Sequence, residues 1–248
     1  MAFGKHHKDD DDVEDVAGSA DGTDEEELDG PFDIEDFDDP SVAELARLDL
    51  GSVLIPMPEA GQVQVELSDQ GVPSAVWVVT PNGRFTVAAY AAPKTAGLWR
   101  EVATELAESL RKDAPTVTIE DGPWGREVVG VPADGASMVR FIGVDGYRWM
   151  IRCVVNGPVQ NAEALADEAR NALADTVVRR GDTPLPVRTP LNVQLPEPMA
   201  AQLQAAAQQA AAQQAQQAGG QQPPPPQPAA RRSAQGSAMQ QLRTITGG

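Results

Sequence analysis

"AVWVVTPNGRFTVAAYAAP", residues 75–93, decides the fold. Two apolar runs flank Asn82-Gly83, and both residues tolerate the left-handed backbone of a tight turn, so the stretch predicts a β-hairpin. Its residues are apolar on both faces, as in a strand pair covered on both sides. The hairpin is therefore expected near the middle of a sheet.

Further strands are expected on both sides of it. Upstream, "GQVQVELS" alternates Val63, Val65 and Leu67 with polar neighbours, the pattern of a one-sided strand. Downstream come "TVTIE", "REVVGV", "SMVRFIGV" and "GVDGYRWMIRCVVNGP", separated by "DGPWG", "PADG" and "DG", all turn chemistry. Two segments change period. In "TAGLWREVATELAESLRKDAP", Leu98, Val102, Leu106 and Leu110 recur every fourth residue beside Trp99 and Ala103, one apolar helical stripe. Arg111 and Lys112 suit its C-terminal dipole, and Pro115 stops it. In "QNAEALADEARNALADTVVRRGD" the stripe is Leu165, Ala169, Leu173 and Val177, with Asn161 as the expected N-cap and Gly181 at the C-terminal stop. A shorter helix is expected over residues 42–48, where Ser41 and Glu44 have capping-box spacing. "TPLPVRTPLNVQLP" reads as an extended edge segment. The fold expected is α+β: a single antiparallel sheet of about six to eight strands with two long helices packed on it.

Charge marks the ends of this region. Of the net −18, residues 1–49 carry −16, residues 50–196 carry −4 and residues 197–248 carry +2. An acidic segment poor in apolar residues cannot offset its conformational entropy by burial, so residues 1–41 are expected to be a disordered tail. Within them Phe32, Ile34 and Phe37 stand among carboxylates, either as a docking motif or as the start of the packing. Residues 42–196 form the expected globular domain. Residues 197–248 read as a low-complexity tail: an Ala/Gln run that is at best a marginal lone helix, then "QQPPPPQPAARR" with polyproline II tendency. Its end, "SAMQQLRTITGG", regains Met239, Leu242 and Ile245 at three-residue spacing, a possible tethered docking peptide.

Several chemistries are missing from the expected domain. Both histidines, His6 and His7, lie in the acidic tail, which removes Ser-His-Asp, Cys-His and histidine–metal sites from it. Neither phosphate-loop nor dinucleotide fingerprint is present. No catalytic residue, metal site or cofactor is expected. The charge balance gives no reason to approach nucleic acid, and no apolar run is long enough to span a membrane. The N-terminus lacks the apolar run of a secretory signal, and a single cysteine makes no internal disulfide, so a cytoplasmic location is expected.

The binding candidates are Arg148, Arg152 and Trp124. If Asp145-Gly146 is a two-residue turn, Ile142 pairs with Trp149 and Arg140 with Ile151 on one face. Gly143 then pairs with Arg148 and Val139 with Arg152 on the other. The two arginines share a face about 13 Å apart, too far to grip one small carboxylate together. Their stems would cover Phe141 and Met150 while their heads reach an anion or only water. Trp124 sits in a turn, where it is either an exposed contact residue or folded over the sheet edge. Cys153 lies mid-strand; Arg152 points to the opposite face, so the cysteine is expected to be buried and inert.

"LDLGSVLIP", "GRFTVAAYAAPKTAGLW", "DGPWGREV", "GYRWMIRCVVNGP" and "TPLNVQLP" together resemble an actinobacterial family known only as a domain of unknown function, over residues 42–196. The resemblance implies no activity, cofactor or site residue. The element order is also similar to the Mog1/PsbP-like fold, whose members often act as binding or assembly factors; fold alone does not set function. The function expected is a non-catalytic cytoplasmic binding or adaptor protein with a protein partner and recruiting arms. The alternative is an enzyme or small-ligand binder using Arg and Asp/Glu in a cleft.

Overall fold

The computed structural model describes residues 29–68 and 73–219, which fall into two units meeting between Leu195 and Pro196. His6, His7 and the docking triplet Met239, Leu242 and Ile245 lie outside the described residues. In chain order the first unit runs β1 (Phe32–Asp33), α1 (Pro40–Glu44), β2 (Arg47–Asp49), β3 (Val53–Pro56), β4 (Gln62–Leu67), β5 (Pro73–Thr80) and β6 (Gly83–Ala91). It continues with α2 (Leu98–Asp113), β7 (Thr116–Gly122), β8 (Gly125–Val131), β9 (Ser137–Asp145), β10 (Trp149–Pro158), α3 (Ala162–Ala174) and β11 (Val177–Val178). The second unit holds α4 (Glu197–Gly219), whose mixed Ala/Gln surface has no wide apolar stripe.

Seven strands form one antiparallel sheet in the order β4-β5-β6-β10-β9-β8-β7. The expected hairpin stands second and third from one edge, with β10 beyond it, but it turns at Pro81-Asn82 rather than Asn82-Gly83, Gly83 pairing with Thr80. The chain is thus α+β, as expected, but a single sheet is not the whole of it. A second sheet, β1-β11-β3-β2, is built from strands of two to four residues and mixes one parallel pair, Phe32 with Val177, among antiparallel ones.

The alternation along the strands sorts the side chains into layers. One face, here called inner, carries Phe85, Val87, Ile142, Ile151, Cys153 and Val155. They pack against Leu165, Ala169 and Leu173 of α3 and against Val53 and Ile55 of β3. The other, outer face meets α2, where Trp99, Ala103 and Ala107 are buried and Val102, Leu106 and Leu110 are half-buried against Val128, Phe141 and Met150. The buried line of α2 is therefore Trp99, Ala103 and Ala107 together with Leu98; the rest of the expected stripe, Val102, Leu106 and Leu110, flanks it. Small residues let the helix approach closely: a Cβ on Gly143 would stand 1.9 Å from the Trp99 ring. Asp145 at the end of β9 caps α2 from outside the helix, accepting from the backbone N–H groups of Gly97 (2.9 Å) and Trp99 (3.0 Å). Such a cap contributes about 1 kcal/mol.

Several sequence expectations need correction. The fold takes in residues before 42: β1 pairs with β11, and Phe32, Ile34 and Phe37 pack against Ala43, Leu54 and Val177. Of their two readings, packing is the one observed. The first helix is Pro40–Glu44 rather than 42–48, because Asp39 is its cap, accepting from Ser41 N–H at 2.9 Å and Ser41 Oγ–H at 2.8 Å. Those bonds hold the Asp39 carboxyl below its usual range. The second long helix ends at Ala174; Val177 belongs to β11, Asn161 makes no side-chain cap, and Gly181 (φ +69°) serves the loop beyond.

The β9–β10 hairpin is also longer at its turn. Asp145 pairs with Met150, Val144 with Ile151, Gly143 with Arg152 and Ile142 with Cys153. Each residue's partner lies four positions further along than expected, an even shift, so each paired residue keeps its expected face while Arg148 leaves the ladder. Trp149 drives the change. Its ring lies in the core where a Cβ on Gly146 would meet it at 2.2 Å, and its Nε1–H donates to Asp33 at 2.7 Å. Arg148 takes the strained corner at φ +64°.

The proline-rich segment runs beside the end of β6 through Leu191 N–H to Ala89 O and Arg188 N–H to Ala91 O, both 2.8 Å. It then crosses to the small sheet through Gln194 N–H to Leu50 O, 2.9 Å. β5 pairs with β6 only from Trp77↔Thr86 to Thr80↔Gly83. Beyond that the two strands part.

Candidate functional site

α2 packs on β7, β8 and β9. Over β5, β6 and the middle of β10, no element among the described residues of the first unit closes the outer face: Ala75, Trp77, Val79 and Val154 fall outside all three apolar clusters and are half-buried. This open half is the candidate site.

Its charged groups come from the strand register. Arg84 and Tyr90 share the outer face of β6, and Trp77 lies on β5 opposite Thr86. Diagonal neighbours on an antiparallel pair lie within reach of long side chains. Accordingly the Arg84 guanidinium stands 4.4 Å from the Trp77 ring centroid. On the other side Arg152, opposite Ala88, places its guanidinium 4.9 Å from the centroid of Tyr90. Stacking of this kind contributes about 0.5–1 kcal/mol at an exposed site and leaves the N–H edges available. Among the described residues, neither Arg84 nor Arg152 has a carboxylate partner, and Arg152 Nε is buried without any hydrogen-bond partner. Between the two stacks the floor is Thr86, Ala88 and Val154, all half-buried.

Two hollows flank the Arg152 stack. A groove of about 340 Å³ runs between α2 and the sheet, walled by Tyr90, Val102, Leu106, Met150 and Arg152. Arg188 stands at its rim, held by Glu105 (2.9 and 3.0 Å) and Glu101 (3.2 Å), and the Glu105 hydrogen bonds raise its pKa further. A tighter slot of about 130 Å³ opens where β5 and β6 part; Ala75, Thr86 and Ala88 line it, and it reaches Leu50 and Val193. At the far side of the site Trp77 Nε1–H donates to Glu66 at 2.7 Å.

A different cluster lies on the inner face. Glu127, 1 % exposed, engages both its oxygens: Oε1 accepts from Arg170 Nε (3.0 Å), and Oε2 from Arg170 (2.8 Å) and Arg140 (2.6 Å). Arg140 also meets Glu120 at 2.9 Å and Glu163 at 3.4 Å. Pairing with Glu127 raises the Arg170 pKa. This network ties α3 to β7, β8 and β9, and both Glu127 oxygens are buried against the protein's own arginines.

Of the three sequence candidates, only Arg152 belongs to the open half-sheet. Arg148 sits in the hairpin turn, where its carbonyl accepts from Ala92 N–H (2.9 Å) and Arg180 Nε (3.1 Å). Trp124 lies half-buried in the β7–β8 turn, packed on the inner core, and donates to Gly30 O at 2.6 Å. Arg84, Trp77 and Tyr90 were not singled out from sequence. The β5–β6 turn is Pro81-Asn82, with Gly83 paired to Thr80; an Asn82-Gly83 turn would set Trp77 opposite Ala88, so the Arg84–Trp77 diagonal was not readable from that dipeptide. Cys153 is fully buried, and desolvation, with Glu127 nearby, pushes its thiol far above the ordinary range. No helix among the described residues is long and apolar enough to cross a membrane.

No curated protein matches the chain. A family match begins at Gly30, which Trp124 holds, and runs past the last loop of the first unit. Over residues 30–202 the chain matches, and so belongs to, the family described as protein of unknown function DUF3710.

Proposed function

We propose that the chain is a non-catalytic cytoplasmic binding protein, an adaptor whose open half-sheet takes an acidic, extended segment of a protein partner. The observation that carries this reading is the pair Arg84 and Arg152. Arg47, Arg140, Arg170, Arg179 and Arg188 each have a carboxylate partner in this acid-rich chain. Among the described residues Arg84 and Arg152 have none, and neither do Arg100, Arg111, Arg126, Arg148 and Arg180; what sets the two apart is that they stand on aromatic rings beside an apolar floor. A half-buried guanidinium with free edges favours an incoming anion, since charge-assisted hydrogen bonds are the stronger kind. Extended backbone suits a flat strand surface whose two cations lie along it. The likeness in element order to Mog1/PsbP-like binding and assembly factors leans the same way. Catalysis through Arg and Asp/Glu has less support, because the buried carboxylate nearest two arginines, Glu127, is saturated by them.

The test is affinity capture with the full chain and with an Arg84→Ala/Arg152→Ala variant that melts at the same temperature. Proteins recovered by the first and lost by the second support the reading. The same proteins recovered by both would overturn it.

A further inference from the structure

We infer that the open half-sheet has an occupant within the chain: the acidic segment Asp11-Asp12-Val13-Glu14-Asp15, which lies outside the described residues. The inference rests on the binding reading above and assigns the regulation of that same surface. Three features carry it.

The first is spacing. Arg152 lies opposite Ala88, and Arg84 is four residues from Ala88 along β6. At the rise of a strand, with one strand's lateral step, the two anchor points are about 14 Å apart. In an extended peptide residues i and i+4 are about 13 Å apart and share one face with i+2. Asp11, Val13 and Asp15 have this relation. Both carboxylates would reach the two guanidinium groups while Val13 covers Thr86, Ala88 and Val154.

The second is reach. The described fold begins at Asp29, fourteen residues after Asp15. That length extends to about 45 Å. The tether starts near the Tyr90 end of the site: Asp33, four residues after Asp29, accepts from Trp149, which pairs with Ala91 beside Tyr90.

The third is competition. The segment is covalently attached, so it meets the surface at an effective concentration on the order of millimolar. An acidic partner of ordinary micromolar abundance must displace it. The tail thereby sets a threshold: it excludes weak acidic peptides and yields to a partner with more contacts. Charge complementarity is what distinguishes this occupant from the C-terminal tail, which is net positive.

The experiment uses the full chain with Ala17→Cys carrying a nitroxide spin label, Cys153 being fully buried. Amide signals of Thr86, Ala88 and Val154 should broaden at least fivefold more than those of Thr118 and Glu120 at the opposite sheet edge. The excess should vanish in Asp11→Asn/Asp15→Asn and at about 1 M NaCl, where the screening length is about 3 Å. A synthetic peptide of residues 9–16 should bind that Asn variant roughly tenfold more tightly than the native chain, because the tethered competitor is gone. Equal broadening at both edges, or equal peptide affinity for the two chains, overturns the inference. Either result leaves the adaptor reading intact as long as capture still needs Arg84 and Arg152. Conversely, a docked tail with arginine-independent capture would sink the adaptor reading alone.

Discussion

Over β9 the outer face of the large sheet is sealed by Trp99, which is 3 % exposed and sits on Gly143. Over β5 and β6 the same face carries Trp77, half-buried, with Arg84 lying on its ring. Both regions are built from the same kind of strand, with apolar or small residues in alternation. What separates them is a socket and something shaped to fill it. Gly143 leaves room for an indole, and α2 supplies one at the position that Asp145 fixes by capping the helix. The open half has small residues too, Thr86 and Ala88, but the described residues of the first unit bring no helix to them. Apolar alternation on both faces says that a strand can be covered twice; it does not say that it is.

The contrast should appear most strongly in the tryptophans. Trp99→Ala is expected to cost about 3–5 kcal/mol, the range for emptying a buried aromatic site. Trp77→Ala should cost about 1 kcal/mol, since it loses a stack and partial burial. Denaturant melts of the two variants measure this, and equal losses would mean that the two halves are alike after all. The arginines come next. Arg140→Ala removes a buried partner of Glu127 and should destabilise by about 3 kcal/mol. Arg152→Ala, which breaks no ion pair, should cost under about 1 kcal/mol while weakening capture of the partner. A third comparison uses volume. Gly143→Ala forces its Cβ against Trp99 and should cost about 2 kcal/mol, whereas Thr86→Val on the open half should change stability by less than about 0.5 kcal/mol.

The smallest expected effect concerns Cys153 on the sealed inner face. Its thiol pKa is raised on folding, so the folded state keeps a proton that the unfolded chain releases above about pH 9. Its contribution is fully present below that value and is lost as pH rises beyond it, by about 1.4 kcal/mol per pH unit. The stability difference between the native chain and Cys153→Ala should narrow with that slope above pH 9. A constant difference would show that the thiol is not sealed.

Legibility in the sequence followed the length of the pattern. Asn82-Gly83 and the four-residue stripe of α2 were enough for the hairpin, the sheet and the helix on it. The second sheet was not readable: β1 and β11 have two residues each, too few for alternation to register. The hairpin turn at Gly146 is not legible because local chemistry favours a two-residue turn, while burying Trp149 against Asp33 takes four. Arg152 is legible because a charge stands out in an apolar strand. Arg84 is not, because it follows a turn, where a charge is ordinary; its meaning lies in Trp77, seven residues away and diagonal across the ladder.

The pairing of β1 with β11 has a consequence for synthesis. Phe32 emerges from the ribosome long before Val177, its neighbour in the finished sheet. At about 5–20 residues per second the wait is on the order of ten seconds, during which Phe32, Ile34 and Phe37 have no partner strand. The carboxylates interleaved with them, Asp33, Glu35 and Asp36, keep that segment charged for the interval. Acidic residues set among aromatic ones are the composition that opposes association of exposed segments, and β1 can close on β11 only after Val178 has been synthesised.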